Sequence, residues 1–255
     1  MPACGIPRGV YIPSLKMFHV SENKGKTFSN GGFGTALPKE LHLLSSKKKG
    51  SINLYLWVEE ALCLHDSGLA DFVSEDELLL NTQQLYLLLQ EGGIALAVYR
   101  VYAHLRNQTF RVLRYNSSID EATVTTTTTT DDEDPLKVRT VLPPPPPSLE
   151  PFSIAWQVYR PNANFRKTNP GQPDFLVAIT SYALPSPSFQ SISSLLTDCK
   201  DIPLKVAAVS DSGTVVMFGL TDFGVPDISR KGKEETTNSD TQKDQGELID
   251  SNVGV

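Results

Sequence analysis

The chain has 255 residues, 40% of them hydrophobic, which is enough for one or two ordinary cores. Its longest apolar runs, such as IALAV at 94–98, fall far short of a membrane span, and the opening MPACGIPRG lacks the basic head and apolar body of a secretory signal. Three scattered cysteines (Cys4, Cys63, Cys199) form neither a disulfide framework nor a metal-ligand spacing, so the expectation is a reducing intracellular compartment, with no membrane, metal or cofactor involved. The formal charge of −6 is carried by two segments, 116–150 and 231–255; without them 18 bases face 16 acids, so the remainder can still present basic patches to RNA.

In chain order, LWVEEALCLHDSG predicts a short helix closed by Gly68, and Asn81 with Gln84 three residues later predicts the start of a second. That helix stops at Gly92 and Gly93. A third spans about 94–106, with Ile94, Val98, Val101, Tyr102 and Leu105 on one stripe. FRVLRY at 110–115 then alternates as a strand. The segment 116–150 contains TTTTTT, DDEDP and PPPPP; it has few large apolar residues and is predicted to be disordered, with 143–147 favouring polyproline II. FSIAWQVYR and PDFLVAITSYA read as two more strands, and Ser188 can cap a helix with Phe189, Ile192, Leu195 and Leu196 on one face. IPLKVAAV and TVVMFGL finish as strands joined by a hairpin turn at 210–213.

The order helix, three strands, helix, two strands predicts a small mixed α/β domain, and the chain as a whole an α+β protein. The insert at 116–150 separates two strands and so reads as an elongated hairpin tip. This divides the chain into a mostly helical N-terminal domain at 1–93, an α/β domain at 94–230 and a disordered acidic tail at 231–255.

The candidate site is YRPNANFRKTNPGQPDFLVAI, 159–179. Tyr159 ends a strand-like run and reads as a half-buried strand aromatic. Arg160, Arg166 and Lys167 beside Pro170 and Gly171 are either a solvated turn or a grip on RNA phosphates; the same two readings hold for Arg106, Arg111 and Arg114. The run Lys47–Lys49 reads as a soluble loop. Neither a phosphate-binding GxxxxGK[ST] loop nor a dinucleotide-binding glycine motif is present. The five-proline run is either an SH3 or WW ligand or a spacer.

The segment 159–179, followed by DIPLKVAAVSDSGTVVMFGLTDFGVPD, resembles the C-terminal region of the non-catalytic structural subunit of the tRNA-splicing endonuclease, the Sen-fifty-four family. GKTFSNGGF at 25–33, EEALCLHDSG at 59–68 and VYRVYAHLRNQTFRVLRY at 98–115 resemble that family's N-terminal region in the same order. Residues 36–51 stand as an insertion, Val58 replaces a usual proline, and the central insert is short.

The resemblance implies an intron-endonuclease-like fold in a four-subunit nuclear complex that excises introns from precursor tRNA. Two subunits cut, by metal-free attack of the RNA 2′-hydroxyl on the adjacent phosphorus, with a Tyr, a His and a Lys; the others are structural. Tyr159 falls at the Tyr position. Lys167 stands where the His would be, and all four histidines precede Leu105. Ile202 and Pro203 stand where the Lys would be, with Lys205 displaced into the strand. A lone tyrosine of ordinary pKa near 10 cannot supply both acid and base.

The implied role is therefore a scaffold for a cutting subunit of the Sen-two type, in contact with the other subunits and with precursor tRNA. Asp211, Ser212 and Gly213 would form a partner-docking loop, and Val215, Met217 and Phe218 a strand pairing across the interface. The alternatives are an active RNA endonuclease using Tyr159 with Lys167 or Lys205, and an adaptor acting through its prolines.

Overall fold

Tyr11 near the start of the chain and Val209 near its end belong to one buried apolar cluster. The computed structural model describes residues 6–23, 27–38, 42, 52–116, 144–162, 165–167 and 169–220. The expectations for the polar stretch at 117–143, for the tail at 231–255, for Cys4 and for Lys47–Lys49 lie outside these residues.

The first part of the chain carries strands β1 (Arg8–Ile12), β2 (Met17–Glu22), β3 (Tyr55–Trp57) and β4 (Asp71–Val73). Among them run a short helix α1 (Thr27–Gly31) and α2 (Val58–Asp66), and α3 (Thr82–Glu91) follows. The strands form a sheet of order β3-β2-β1-β4, antiparallel except for the β1–β4 pair. The expectation that 1–93 is mostly helical is thus corrected. These strands have three to six residues, and their inward positions (Gly9 and Tyr11 on β1, Phe18 and Val20 on β2) recur too few times to declare a period of two. The predicted helices are present. Asn81 and Gln84 exchange the two hydrogen bonds of a capping box on α3. Past α2, the N–H of Gly68 donates to His65 and that of Leu69 to Leu64, both at 2.8 Å, with Gly68 at φ +66°.

From residue 96 the order is α4 (Leu96–Asn107), β5 (Arg111–Arg114), β6 (Ile154–Tyr159), β7 (Phe175–Ser181), α5 (Phe189–Asp198), β8 (Leu204–Val209) and β9 (Val215–Leu220). The second sheet has the order β5-β6-β7-β8-β9, with only β7–β8 parallel, the pair that needs the α5 crossover. β5 and β6 are antiparallel neighbours, so the insert joins two paired strands. Two mixed sheets and four longer helices make an α+β protein.

Helix α4 is central to the packing. Val98, Val101, Tyr102 and Leu105 lie in the same cluster as Phe18 and Phe72 of the first sheet and Trp156 and Val177 of the second. The Tyr102 and Trp156 rings are 5.3 Å apart. On the other face of the second sheet, Ile154, Leu176 and Leu204 pack with Leu195 and Cys199 from α5 and its end. With both faces covered, all six residues of β6 are buried.

Two further expectations are corrected. Residues 144–150 were expected within the disordered insert, but Pro147 is buried and Leu149 packs on the core. Prolines lose little backbone freedom on docking, so a short apolar run can hold here. Phe189 was expected on the apolar face of α5, but it is 86% exposed; it is the helix's first residue, while Leu195 and Leu196 make the packing.

Candidate functional site

Tyr159 ends β6 opposite Arg111 and is 5% exposed. Its hydroxyl donates to Gln157 Oε1 at 3.2 Å, and its ring lies 5.2 Å from that of Phe165. Burial alone pushes the phenol up to about 12, so at neutral pH it is a hydrogen-bond donor and not a base. Tyr159 lines a cleft of about 500 Å³ together with Asn169, Gly171, Lys200 and Ile202. The Tyr position and the loop before β8 are therefore brought to one place.

Among the described residues Lys200 is the one lysine in this cleft; the four histidines, Lys167 and Lys205 lie outside it. His19 and His42 sit against Tyr55, with ring separations of 5.0 and 5.8 Å. His65 is 3.2 Å from the Thr82 hydroxyl, and His104 is 2.9 Å from the Gln108 amide. Lys205 places its ammonium 3.9 Å from the Phe175 ring centre, and Lys167 is held by Glu60, so neither lines the cleft with Tyr159. Among the described residues no group of three or more His, Cys, Asp or Glu side chains is placed to hold a metal.

The basic candidates divide by burial. Arg114 makes two parallel hydrogen bonds to Glu59, at 2.7 and 2.8 Å, and stacks 3.8 Å over Trp57. Lys167 donates to Glu60 Oε1 at 2.5 Å. Glu60 also accepts the Trp57 N–H at 3.0 Å, the cap of α2, and the Gly34 N–H at 3.2 Å. Arg106 and Arg111 both donate to the Gly31 carbonyl, at 2.7 and 2.6 Å, and Arg106 lies over the Phe33 ring. Burial and the neighbouring Arg106 cation lower the pKa of Arg111. Arg160 and Arg166 remain exposed; at the surface the Asp174 carboxylate accepts the Arg160 N–H at 2.8 Å and lies 3.5 Å from its guanidinium. Of the six bases singled out from sequence, these two face solvent.

The final hairpin has the predicted turn. Gly213 N–H donates to Ser210 O at 2.8 Å, Ser210 N–H to Thr214 O at 3.0 Å, and Thr214 N–H to Ser210 Oγ at 3.0 Å. Asp211 and Ser212 are exposed. Among the described residues β9 bonds to β8 alone and forms the sheet edge; Val215 and Met217 pack on the core while Val216 and Phe218 are 47% and 46% exposed.

Glu59 and Glu60 were not singled out from sequence. Two acids in the first turn of a helix read as ordinary partners of its dipole, and their basic partners lie 55 and 107 residues away. No family model matches the chain, and no curated protein is significantly similar to it.

Two predictions follow from the burial of these groups. Arg114→Met leaves the Glu59 carboxylate buried and unpaired, and urea unfolding should show a loss of about 3–5 kcal/mol. For Tyr159, a folded-state pKa of about 12 against an ordinary 10 stabilises the fold in full below pH 10. That contribution is lost as pH rises through 12. Tyr159→Phe should flatten this part of the fall, read by stability measurements across pH 9–12.

Proposed function

We propose that this chain is a non-catalytic subunit of a tRNA-splicing endonuclease, one that holds a cutting subunit of the Sen-two type and helps to position precursor tRNA. The observation that carries the reading is the Tyr159 cleft. The strand that ends in tyrosine and the loop preceding β8 converge on it, at the positions the sequence resemblance marks. Its tyrosine is buried and protonated, and the four histidines of the chain lie elsewhere. Cleavage by an RNA 2′-hydroxyl needs a base, an acid and a cation at the phosphate. The partner subunit supplies them.

The edge strand supports the scaffold role. Among the described residues one side of β9 has no neighbouring strand, and Val216 and Phe218 are apolar and exposed on one face of it. Such an edge invites another strand, and a partner's final strand would satisfy its backbone and cover both side chains. Of the six basic candidates, Arg160 and Arg166 are the ones exposed to meet tRNA phosphates, and Arg160 shares a second cleft with Tyr159.

Co-expression with a Sen-two-type subunit tests the reading. The wild-type chain should copurify as a stable heterodimer, and Val216→Asp with Phe218→Asp should abolish capture while leaving the unfolding midpoint of the isolated chain nearly unchanged. Failure of the wild-type chain to copurify, or capture unaffected by the double substitution, contradicts it.

A further inference from the structure

We infer that the Tyr159 cleft is a pocket for one unpaired nucleobase, held by the side-chain amide of Gln157; the inference rests on the reading of this chain as a subunit that handles RNA. Among the described residues three polar or charged residues are buried: Glu59, Glu60 and Gln157. The two glutamates are paired with Arg114 and Lys167. Gln157 is only half satisfied. Its Oε1 accepts the Tyr159 hydroxyl at 3.2 Å, and among the described residues this is the one hydrogen bond its side chain makes. The amide N–H2 has no protein acceptor. It is not sealed from the cleft either, because the fully buried side-chain nitrogens and oxygens without a partner among the described residues are Arg106 Nε and Trp156 Nε1. Two donors on a side chain only 8% exposed therefore open onto the cleft that Gln157 lines. A buried donor left unbonded is unfavourable, so an acceptor supplied by a ligand is drawn there.

The amide is presented from a rigid base. On β6, Trp156 and Val158 join the core packed by α4, which leaves Gln157 and Tyr159 to the opposite face. The rest of the cleft suits a flat, neutral ring. Its volume of about 500 Å³ lies in the range of small-molecule sites, roughly 300–1,000 Å³. Tyr115, Leu176 and Ile202 contribute apolar walls, and an unstacked base is held by such surfaces together with hydrogen bonds to its edge. At the exposed rim Asp198 and Asp201 outnumber Lys200, so a phosphate entering this cleft meets net negative charge. The ring carbonyl of guanine, cytosine or uracil accepts from the Gln157 N–H without that penalty. The phosphate of the same nucleotide has a place next door. The second cleft, with Arg160, shares Tyr159, Asn169 and Pro170 with the first. A base against Gln157 thus sets its phosphate toward Arg160. The pocket acts on RNA binding, not on bond cleavage.

Titration of the full chain with uridine, uridine 5′-monophosphate and ribose 5-phosphate, followed by NMR at the Gln157 side-chain N–H2 and the Gly171 backbone amide, tests this. Uridine and its monophosphate should move the Gln157 resonances saturably; ribose 5-phosphate, which lacks the base, should leave them in place. Gln157→Glu exchanges the donors for an acceptor and should weaken uridine binding about tenfold, read at Gly171. Gln157→Met, uncharged and of similar length, should weaken it as much while keeping an unfolding midpoint near that of the wild type, so a folding defect in the glutamate variant does not hide the result. Arg160→Ala should weaken binding of the monophosphate and spare that of uridine. Gln157 resonances unmoved by uridine, or moved equally by ribose 5-phosphate, overturn the inference, as does wild-type affinity for uridine in Gln157→Met. If uridine binds as described but the chain captures no cutting subunit, the proposed function fails and the pocket stands; capture of the subunit without uridine binding is the reverse outcome and overturns the pocket alone.

Discussion

Two adjacent carboxylates, Glu59 and Glu60, enter the interior at the start of α2, and much of the structure is arranged to neutralise them. Each is almost wholly removed from water. The effective cost of that is several kcal/mol per ion unless every oxygen finds a partner. Glu59 receives the two-pronged guanidinium of Arg114 from β5; Glu60 receives the Lys167 ammonium and two backbone N–H groups. The helix dipole of α2 favours both charges. The two ion pairs therefore tie the first turn of α2 to one strand of the second sheet and to the loop after β6.

This constraint decides which bases are left for a ligand. A loop containing Phe165, Arg166 and Lys167 reads from sequence as a candidate phosphate grip, and Lys167 stands where a histidine would be needed for catalysis. In the folded protein Lys167 is a strut and Arg166 is the base that faces water. Arg106 and Arg111 are likewise turned onto the Gly31 carbonyl. In the fold the loop at 165–167 is a joint between the second sheet and α2. Of the six basic candidates, Arg160, beside a cleft it shares with Tyr159, and Arg166 stay exposed, and β9 ends the sheet on its other side among the described residues.

Much of this was legible in the sequence wherever the signal is local. The capping pair Asn81 and Gln84, the apolar stripe from Ile94 to Leu105 and the turn at Gly213 each depend on residues within a few positions, and each is found as expected. The first sheet was not legible, because its strands are short and β1 pairs with β4 some sixty residues away. The docking of Pro147 and Leu149, and the exposure of Phe189, depend on which surface happens to lie opposite. For the site, Tyr159 at the end of a strand was readable, but the fate of the basic residues was not. Whether an arginine meets RNA or a buried glutamate is settled by contacts 55 to 107 residues apart, and charge in a sequence carries no record of its partner.

On the proposed function, this chain contributes shape and contact while a partner does the chemistry. Incubating an intron-containing precursor tRNA with the reconstituted complex, carrying either the wild-type chain or Tyr159→Phe, tests it most directly. The account predicts equal rates of formation of cyclic-phosphate-ended products at both splice sites, and no cleavage by the isolated chain. Cleavage by the isolated chain, abolished by Tyr159→Phe, would contradict it.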